Sequence, residues 1–187
     1  MRPTVIKIGG GLLGIPGALE QVCAAVGAVA RREPVLVVPG GGPLADAVRE
    51  LDGRLRLSAH TAHWMAILAM DQYAHVLAER IAGARLVEES GAIAGALAAG
   101  QVAVLAPSRW FRAADPLPHS WDATSDSVAA FVAGALDAGR LVLVKPGEEG
   151  EDAVDRCFAM VVPAGLEVSV VGWERFAALT PPSPRSG

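Results

Sequence analysis

A unit made of a buried strand, a glycine-rich loop and a helix occurs twice near the start of the chain, and this repetition strongly constrains the fold. The first copy begins with a β-branched run and three glycines at 5–11, and a helix is predicted at 17–32 from apolar residues spaced three and four apart. The second copy spans 35–42 and continues into a helix at 44–51. Such units build an α/β fold, a three-layer αβα sandwich with a mainly parallel sheet, whose ligands bind beyond the carboxyl ends of the strands.

The rest of the 187-residue chain continues in the same manner. Further strands are predicted at 85–87, 102–105, 141–144, 158–162 and 168–171, and further helices at 59–81, 91–99 and 128–136. Ser58 is in position to cap the helix at 59–81. Because the length suits one hydrophobic core, we expect a single domain over 1–180 and a flexible, proline-rich tail over 181–187.

Composition and charge narrow the classes of function. Hydrophobic residues make up 52% of the chain, but much of this is alanine, and no apolar run approaches the ~20 residues of a membrane-spanning helix. The first apolar run is too short for a signal peptide, so we expect a cytoplasmic protein. The net charge is −4 and the arginines are scattered, which favours small-molecule partners over nucleic acid. Cys23 and Cys157 lack metal-binding spacing and are expected to be reduced core residues.

Only two of the 16 basic residues are lysines, Lys7 and Lys145. Because lysine is a compact point charge and arginine a planar fork, the lysines of an arginine-rich chain are candidates for function, with retention by chance as the alternative. Lys7 lies in the first strand just before its glycine loop, and Lys145 follows the strand at 141–144. In a parallel sheet both can therefore lie at one edge and share the charge of a transferring phosphoryl group.

A polar run from Asp122 to Ser127 precedes the helix at 128–136. Thr124, Ser125 or Asp126 can cap this helix, which explains one polar side chain of the run. Two aspartates and three hydroxyls at one helix start also suit the orientation of lysines or the binding of a cation, and we favour such a site.

Histidine and aromatic residues provide further candidates. His60 and His63 lie one turn apart on the helix at 59–81, and a metal site, a substrate contact and ordinary packing are all open, although no third ligand of matching character is near in sequence. The stretch at 106–121 is rich in aromatic and arginine residues, and we interpret it as an ordered loop that forms a binding wall, a contact between subunits or a cover for the sheet edge. Self-association into a homo-oligomer is accordingly expected.

The glycines at 9, 11 and 14 match the spacing of a dinucleotide-binding loop. The second strand, however, ends in Pro39 and Gly40 instead of the acidic residue that holds a ribose, and no Gly-Lys-Ser/Thr sequence follows for a Walker A loop. Two glycine loops at successive strand ends, with Lys7 inside the first strand, are better suited to two facing anions than to a dinucleotide. Glycine frees backbone N–H groups to turn toward an anion.

These motifs resemble the amino acid kinase superfamily over roughly residues 5–175. The run Val5-Ile6-Lys7-Ile8-Gly9-Gly10-Gly11 is similar to its lysine-and-glycine opening, and 37–42 is similar to its acceptor-side glycine loop. The segment at 124–130 resembles the one whose aspartate orients the catalytic lysines, and 141–150 corresponds to the start of the nucleotide-binding half. Two positions depart from the common pattern, since Gly11 replaces a serine and Lys145-Pro146-Gly147 replaces a threonine-aspartate pair.

The resemblance implies a phosphotransferase that uses ATP and Mg²⁺ and acts on a small anionic acceptor, with Lys7, Lys145 and Asp126 as catalytic residues. It also implies nucleotide or phosphate binding by Gly9, Gly10, Gly11, Lys145 and Gly147, and acceptor binding by Gly40, Gly41, Gly42, His63, Thr124 and Ser125. Within the superfamily, 63–67 and 120–126 are most similar to the aminomethylfuran-phosphate kinases of methanofuran biosynthesis, which convert a phosphate monoester to a diphosphate. A degenerate member that binds a phosphorylated molecule or nucleotide without turnover is the alternative.

Overall fold

A parallel sheet forms the centre of the computed structural model, which describes residues 1–147 and 154–178. Its strands are β1 (Thr4–Ile8), β2 (Val35–Pro39), β3 (Ala84–Val87), β4 (Val102–Leu105), β5 (Arg140–Lys145) and β6 (Glu167–Gly172). Their order across the sheet is β3-β4-β2-β1-β5-β6, and each pairing is parallel. Because β1 lies between β2 and β5, the segments that follow these three strands emerge side by side at one edge.

Helices cover both faces of the sheet. They are α1 (Ala18–Ala30), α2 (Gly42–Leu55), α3 (Ala59–Arg80), α4 (Ser90–Ala98), α5 (Ser108–Ala114), α6 (Ser125–Ala135), α7 (Phe158–Val161) and α8 (Trp173–Ala178). Ser58 caps α3 as predicted, because its hydroxyl accepts from the N–H of Thr61 at 3.1 Å. None of the described helices is both long enough and apolar enough to cross a lipid bilayer.

Alternate side chains of β1 enter two separate hydrophobic cores. Val5 packs with α4, α6 and the first half of α3, whereas Ile6 and Ile8 pack with α1, α8 and the second half of α3. Both faces of the central strands β1 and β2 are therefore buried away from water, which is why these strands read as continuous apolar runs. The predicted αβα sandwich with a parallel sheet is confirmed. Cys23 and Cys157 are buried free thiols.

Two predictions of local structure were wrong, and one helix was not predicted. The segment expected as a strand at 158–162 contains the short helix α7, whose Phe158 packs into the core beside α6, because a short apolar run does not distinguish strand from helix. The stretch at 106–121 contains α5, and its Phe111 is fully buried with its ring 5.4 Å from that of Phe131. Helix α8 was not predicted. The tail at 181–187 and the last residues of the predicted 141–150 segment lie outside the described residues.

Candidate active site

Lys7, Asp126 and Lys145 meet at the carboxyl edge of the sheet, although they come from three separate parts of the chain. Lys7 lies in β1, Lys145 is the last residue of the neighbouring β5, and Asp126 lies in the first turn of α6. The Nζ of Lys7 is 2.9 Å from Oδ1 of Asp126, and the Nζ of Lys145 is 2.7 Å from Oδ2. One carboxylate therefore bridges both lysines, which is the arrangement expected of a residue that orients them. We call these three residues the lysine cluster.

Burial makes the charges of the lysine cluster energetically important. Lys7, Asp126 and Lys145 are 5%, 4% and 8% exposed. Burial lowers the pKa of Lys7, the charge of Asp126 opposes this, and the charge of Lys145 adds to it. Burial alone would raise the pKa of Asp126, but the two lysines outweigh burial and hold that pKa below its ordinary value. Two cations share one anion, so the cluster carries a net positive charge that a bound anion would balance.

The glycine segments after β1 and β2 pack directly against each other beside this cluster. The N–H of Gly40 donates to the carbonyl of Ile8 at 2.8 Å, and a Cβ added to Gly10 would lie only 2.2 Å from the nitrogen of Gly42. No side chain fits at that distance, so the two backbones touch because glycine stands at both positions. The segment Gly10–Gly14 forms a short 3₁₀ helix, whereas a phosphate-binding glycine loop was predicted to follow β1.

Gly11 and Pro146, which lie at the two positions that depart from the family pattern, are in contact. A Cβ added to Gly11 would lie 2.7 Å from Cγ of Pro146, so the proline ring occupies the space that a longer residue at position 11 would need. The N–H of Gly9 also donates to the carbonyl of Val144 at 2.9 Å. The segments after β1 and β5 are thus locked together, and Gly147 follows as an exposed residue beyond Pro146.

Asp155, which was not predicted from the sequence, organises the polar run at 122–127. Oδ2 of Asp155 accepts from the N–H and hydroxyl of Thr124 at 2.9 and 2.8 Å and from the N–H of Ser127 at 3.0 Å. The hydroxyl of Ser127 donates to the other carboxylate oxygen. Asp155 thereby satisfies N–H groups at the start of α6, where the helix dipole favours a negative charge.

The helix cap predicted within 124–126 is therefore corrected. The side chain of Thr124, which precedes α6, makes no capping bond to that helix, and Asp155 supplies the cap from a distant segment. This leaves Asp126 free to pair with the two lysines. No local pattern around Asp155 marks it in the sequence, because its role depends on a contact between segments that are far apart along the chain.

A cavity of about 520 Å³ opens between α2, α3 and the start of α6, and we call it the acceptor cavity. Five of the residues predicted to bind the acceptor line it, namely Gly41, Gly42, His63, Thr124 and Ser125. Gly40 instead lies against β1, to which its N–H is bonded. The volume is typical of a site for a small molecule.

Three charged residues of α2 that were not predicted from the sequence also line the acceptor cavity. They are Asp46, Arg49 and Asp52, whose three-residue spacing places them on one face of the helix. Asp52 accepts from the indole N–H of Trp121 at 2.8 Å, and the guanidinium of Arg49 lies 4.6 Å from the centre of that ring. The sequence signal that could have identified these three residues is their three-residue spacing directly after a glycine loop.

A group of histidines lies at one end of the acceptor cavity. The rings of His63 and His119 are stacked with centroids 4.1 Å apart, and Nδ1 of His60 is 3.3 Å from Nδ1 of His119. Nε2 of His119 is 2.9 Å from Oδ1 of Asp115. Burial, aided by the neighbouring His119, lowers the pKa of His63 to about 4. The fold therefore brings to the histidines of α3 the partners that were not visible nearby in sequence.

The fold and the sequence together define the class of protein to which this chain belongs. The chain belongs to the amino acid kinase family, whose sequence model matches residues 2–146. It is 29% identical over 139 residues to the [5-(aminomethyl)furan-3-yl]methyl phosphate kinase of Methanocaldococcus jannaschii. That match covers 74% of this chain and only 63% of the relative's length.

Solved structures of similar fold include a uridylate kinase and a UMP kinase. The uridylate kinase from Archaeoglobus fulgidus superposes with a TM-score of 0.72 at 17% identity, over 95% of this chain and 94% of that one. The UMP kinase from Bacillus anthracis gives a TM-score of 0.68 at 14% identity, over 92% and 88% of the two chains. At such low identity these structures establish the shared fold alone.

Proposed function

We propose that this chain carries out ATP-dependent phosphoryl transfer to a small phosphate monoester. The observation that carries the proposal is the lysine cluster, in which two buried lysines share the single carboxylate of Asp126. Its net positive charge lies at the sheet edge where the two glycine segments touch. Phosphoryl transfer depends on such positioning and charge neutralisation more than on covalent chemistry by the protein.

In this reaction Lys7 and Lys145 neutralise the phosphoryl group while Asp126 holds both amines in place. An oxygen of the acceptor attacks the γ-phosphorus of ATP, the bond from that phosphorus to the bridging β-phosphate oxygen breaks, and ADP leaves. Asp126 is a positioning residue and not a general base, because each of its oxygens already pairs with a lysine and its pKa is held low.

The residues of the site suit ATP, and we expect the nucleotide to supply most of the ligands for magnesium. Gly9, Gly10 and Gly11 provide backbone next to the cluster. The N–H of Gly9 is bonded to the carbonyl of Val144, so the triphosphate would find positive charge and the N–H groups of Gly10 and Gly11 there. In the described part of the chain, Asp126 is occupied by lysines and Asp155 by the start of α6, so neither is free to bind a cation. Magnesium is therefore expected to be held mainly through phosphate oxygens, where it would supply further charge neutralisation.

The acceptor cavity favours a small molecule that combines a ring, a cation and a phosphate. Trp121 and the apolar walls suit a ring, Asp46 and Asp52 suit an ammonium group, and the backbone at 41–42 suits a phosphate. The substrate in the name of the Methanocaldococcus jannaschii relative has an aminomethyl group, a furan ring and a phosphate. We propose an acceptor of that class, which would be converted from a phosphate monoester to a diphosphate.

Calorimetry combined with an assay of ADP formation tests this function. Binding of ATP with Mg²⁺, together with ADP formation that requires an aminomethylfuran phosphate, is the expected result; UMP serves as a phosphate monoester that lacks the amine. Asp126→Asn should abolish ADP formation, and Asp137→Asn, at an exposed surface aspartate, should not. Affinity for phosphorylated ligands without ADP formation would instead identify a binding protein, and binding of NAD in place of ATP would identify a dinucleotide site.

A further inference from the structure

Four side chains with metal-ligating chemistry converge beyond the lysine cluster, at the outer end of the acceptor cavity. His60 and His63 come from the start of α3, whereas Asp115 and His119 come from the segment between α5 and α6. One ligand atom from each of His63, Asp115 and His119 lies within 4.8 Å of the others. The fold therefore brings together, from two separate segments, a set of side chains that neither segment contains alone.

The environment of His63 is unusual for a histidine that serves only in packing. Its residue is 9% exposed, and within residues 1–147 and 154–178 neither ring nitrogen has a hydrogen-bond partner. The ring of Trp64 lies edge-to-face with the rings of His60, His63 and His119, at centroid distances of 6.2, 5.0 and 5.8 Å, so the three imidazoles share one small volume. Because His63 lines the acceptor cavity, its unpaired ring nitrogens face a space that water or a ligand can enter, and a neutral imidazole is a common metal ligand.

We propose that His63, His119 and Asp115 form a binding site for one divalent transition-metal ion of the zinc type. Two imidazoles and a carboxylate are a common ligand set for zinc, and imidazole selects such ions over magnesium. Zinc bonds of about 2.0–2.2 Å need ligand atoms somewhat closer together than 4.8 Å. Metal binding would require the rings of His63 and His119 and the exposed Asp115 to move closer together by this difference. His60 lies beside His119 as a further nitrogen donor.

A metal ion here would tie the segment between α5 and α6 to α3. That segment leads to Trp121 and Thr124, which both line the acceptor cavity. The ion would therefore fix one wall of the cavity without taking part in phosphoryl transfer. The inference depends only on the histidines and the carboxylate, so it stands or fails independently of the proposed kinase activity.

Metal titration of the full chain tests the site. The protein is first stripped with a chelator and then titrated with Zn²⁺ by calorimetry, and the metal content is measured by elemental analysis after dialysis. One bound Zn²⁺ per chain is expected, and its binding should persist in a large excess of Mg²⁺. Co²⁺ gives a second readout, because imidazole coordination produces visible absorption bands that distinguish a defined site from loose surface binding.

Single substitutions locate the ion. His119→Ala and Asp115→Asn should each weaken Zn²⁺ binding by about tenfold or more. His75→Ala is the matched control, since His75 is an exposed histidine on the same helix α3, and it should leave binding unchanged. Circular dichroism verifies that each variant is folded. Absence of stoichiometric Zn²⁺ binding, or affinity that is equal in wild type, His119→Ala and Asp115→Asn, would overturn the proposal.

Discussion

The lysine cluster and the acceptor cavity lie next to each other but are built in opposite ways. In the cluster, each oxygen of Asp126 is paired and all three side chains are nearly inaccessible to water. In the cavity, charges of both signs, two imidazoles and an indole line an open space of about 520 Å³. The first region holds a fixed pattern of charge, and the second leaves room for a molecule.

In the proposed function, the lysine cluster determines the reaction and the acceptor cavity determines the substrate. In that function, the buried lysine cluster neutralises any phosphoryl group that reaches it, so the cluster determines the reaction. A cavity lined by side chains of one face of α2 changes its preference when those side chains change, so it defines an acceptor. Substitutions in the cluster should therefore affect turnover, and substitutions in the cavity should affect the KM for the acceptor.

The largest expected effect is the loss of turnover on replacement of Lys7. Lys7→Ala should lower kcat by roughly two to three orders of magnitude, because preorganised charge at the transition state is worth several kcal/mol. Lys7→Arg should also be impaired, since a planar fork does not fit a site built for a point charge. Arg109→Ala, at an exposed arginine on α5, is the control. An unchanged rate in Lys7→Arg would remove the role given to this lysine.

Stability should respond differently to the two signs of charge in the cluster. Asp126→Asn should lower the free energy of unfolding by about 3–5 kcal/mol, because it leaves two lysines buried without their counter-ion. Lys7→Ala should cost less, since the remaining pair of Asp126 and Lys145 is neutral overall. Urea unfolding measures both values. A greater loss in Lys7→Ala than in Asp126→Asn would contradict the shared-carboxylate arrangement.

The same cluster predicts a dependence of stability on pH. The pKa of Asp126 is lowered in the folded chain, so its contribution is fully present above the unfolded value of about 3.9 and is lost as the pH falls through the folded value. The difference in the free energy of unfolding between wild type and Asp126→Asn should therefore shrink below about pH 4. A difference that stays constant during acidification would contradict this linkage.

A smaller effect is expected where the glycine segments touch. Gly10→Ala should destabilise the chain by about 1–3 kcal/mol, because its Cβ would overlap the backbone of Gly42. Gly14→Ala is a matched control in the same 3₁₀ helix, since nothing lies within 4 Å of its Cβ position, and it should change stability by no more than about 0.5 kcal/mol. Equal unfolding midpoints for the two variants would show that the close approach is unimportant.

The smallest effect should appear in the cavity. Asp52→Asn should raise the KM for an amine-bearing acceptor by up to about tenfold, equivalent to about 1.4 kcal/mol, and leave kcat nearly unchanged. Glu50→Gln, at an exposed position of α2 outside the cavity, should change neither value. A fall in kcat without a change in KM would place Asp52 with the chemistry and not with the acceptor.

The general position of the site was predictable because it follows from repeated local patterns. Continuous apolar runs indicated parallel strands, and the glycine segments after β1 and β2 indicated the edge at which ligands bind. The rarity of lysine pointed to Lys7 and Lys145, and the polar run pointed to Asp126. Each of these signals lies within a few residues of the feature it predicts.

The residues of the site that could not be predicted from the sequence depend on contacts between distant segments. Asp155 reaches the start of α6 from a segment without a local motif. His119 and Asp115 meet His63 only because the segment that joins α5 to α6 passes the start of α3. The run at 158–161 was misread because a single apolar turn has no period to measure. Homo-oligomer formation stays a prediction, although the buried ring of Phe111 removes part of the aromatic surface that suggested it.

The most direct test of the division between cluster and cavity is ³¹P nuclear magnetic resonance of a reaction mixture. The chain is incubated with ATP, Mg²⁺ and an aminomethylfuran phosphate, and the spectrum is followed with time. The monoester signal should decline while two coupled diphosphate signals of the product rise together with those of ADP. If ATP and the monoester both bind and their signals persist unchanged, or if free phosphate is the only product, the proposed transfer is contradicted.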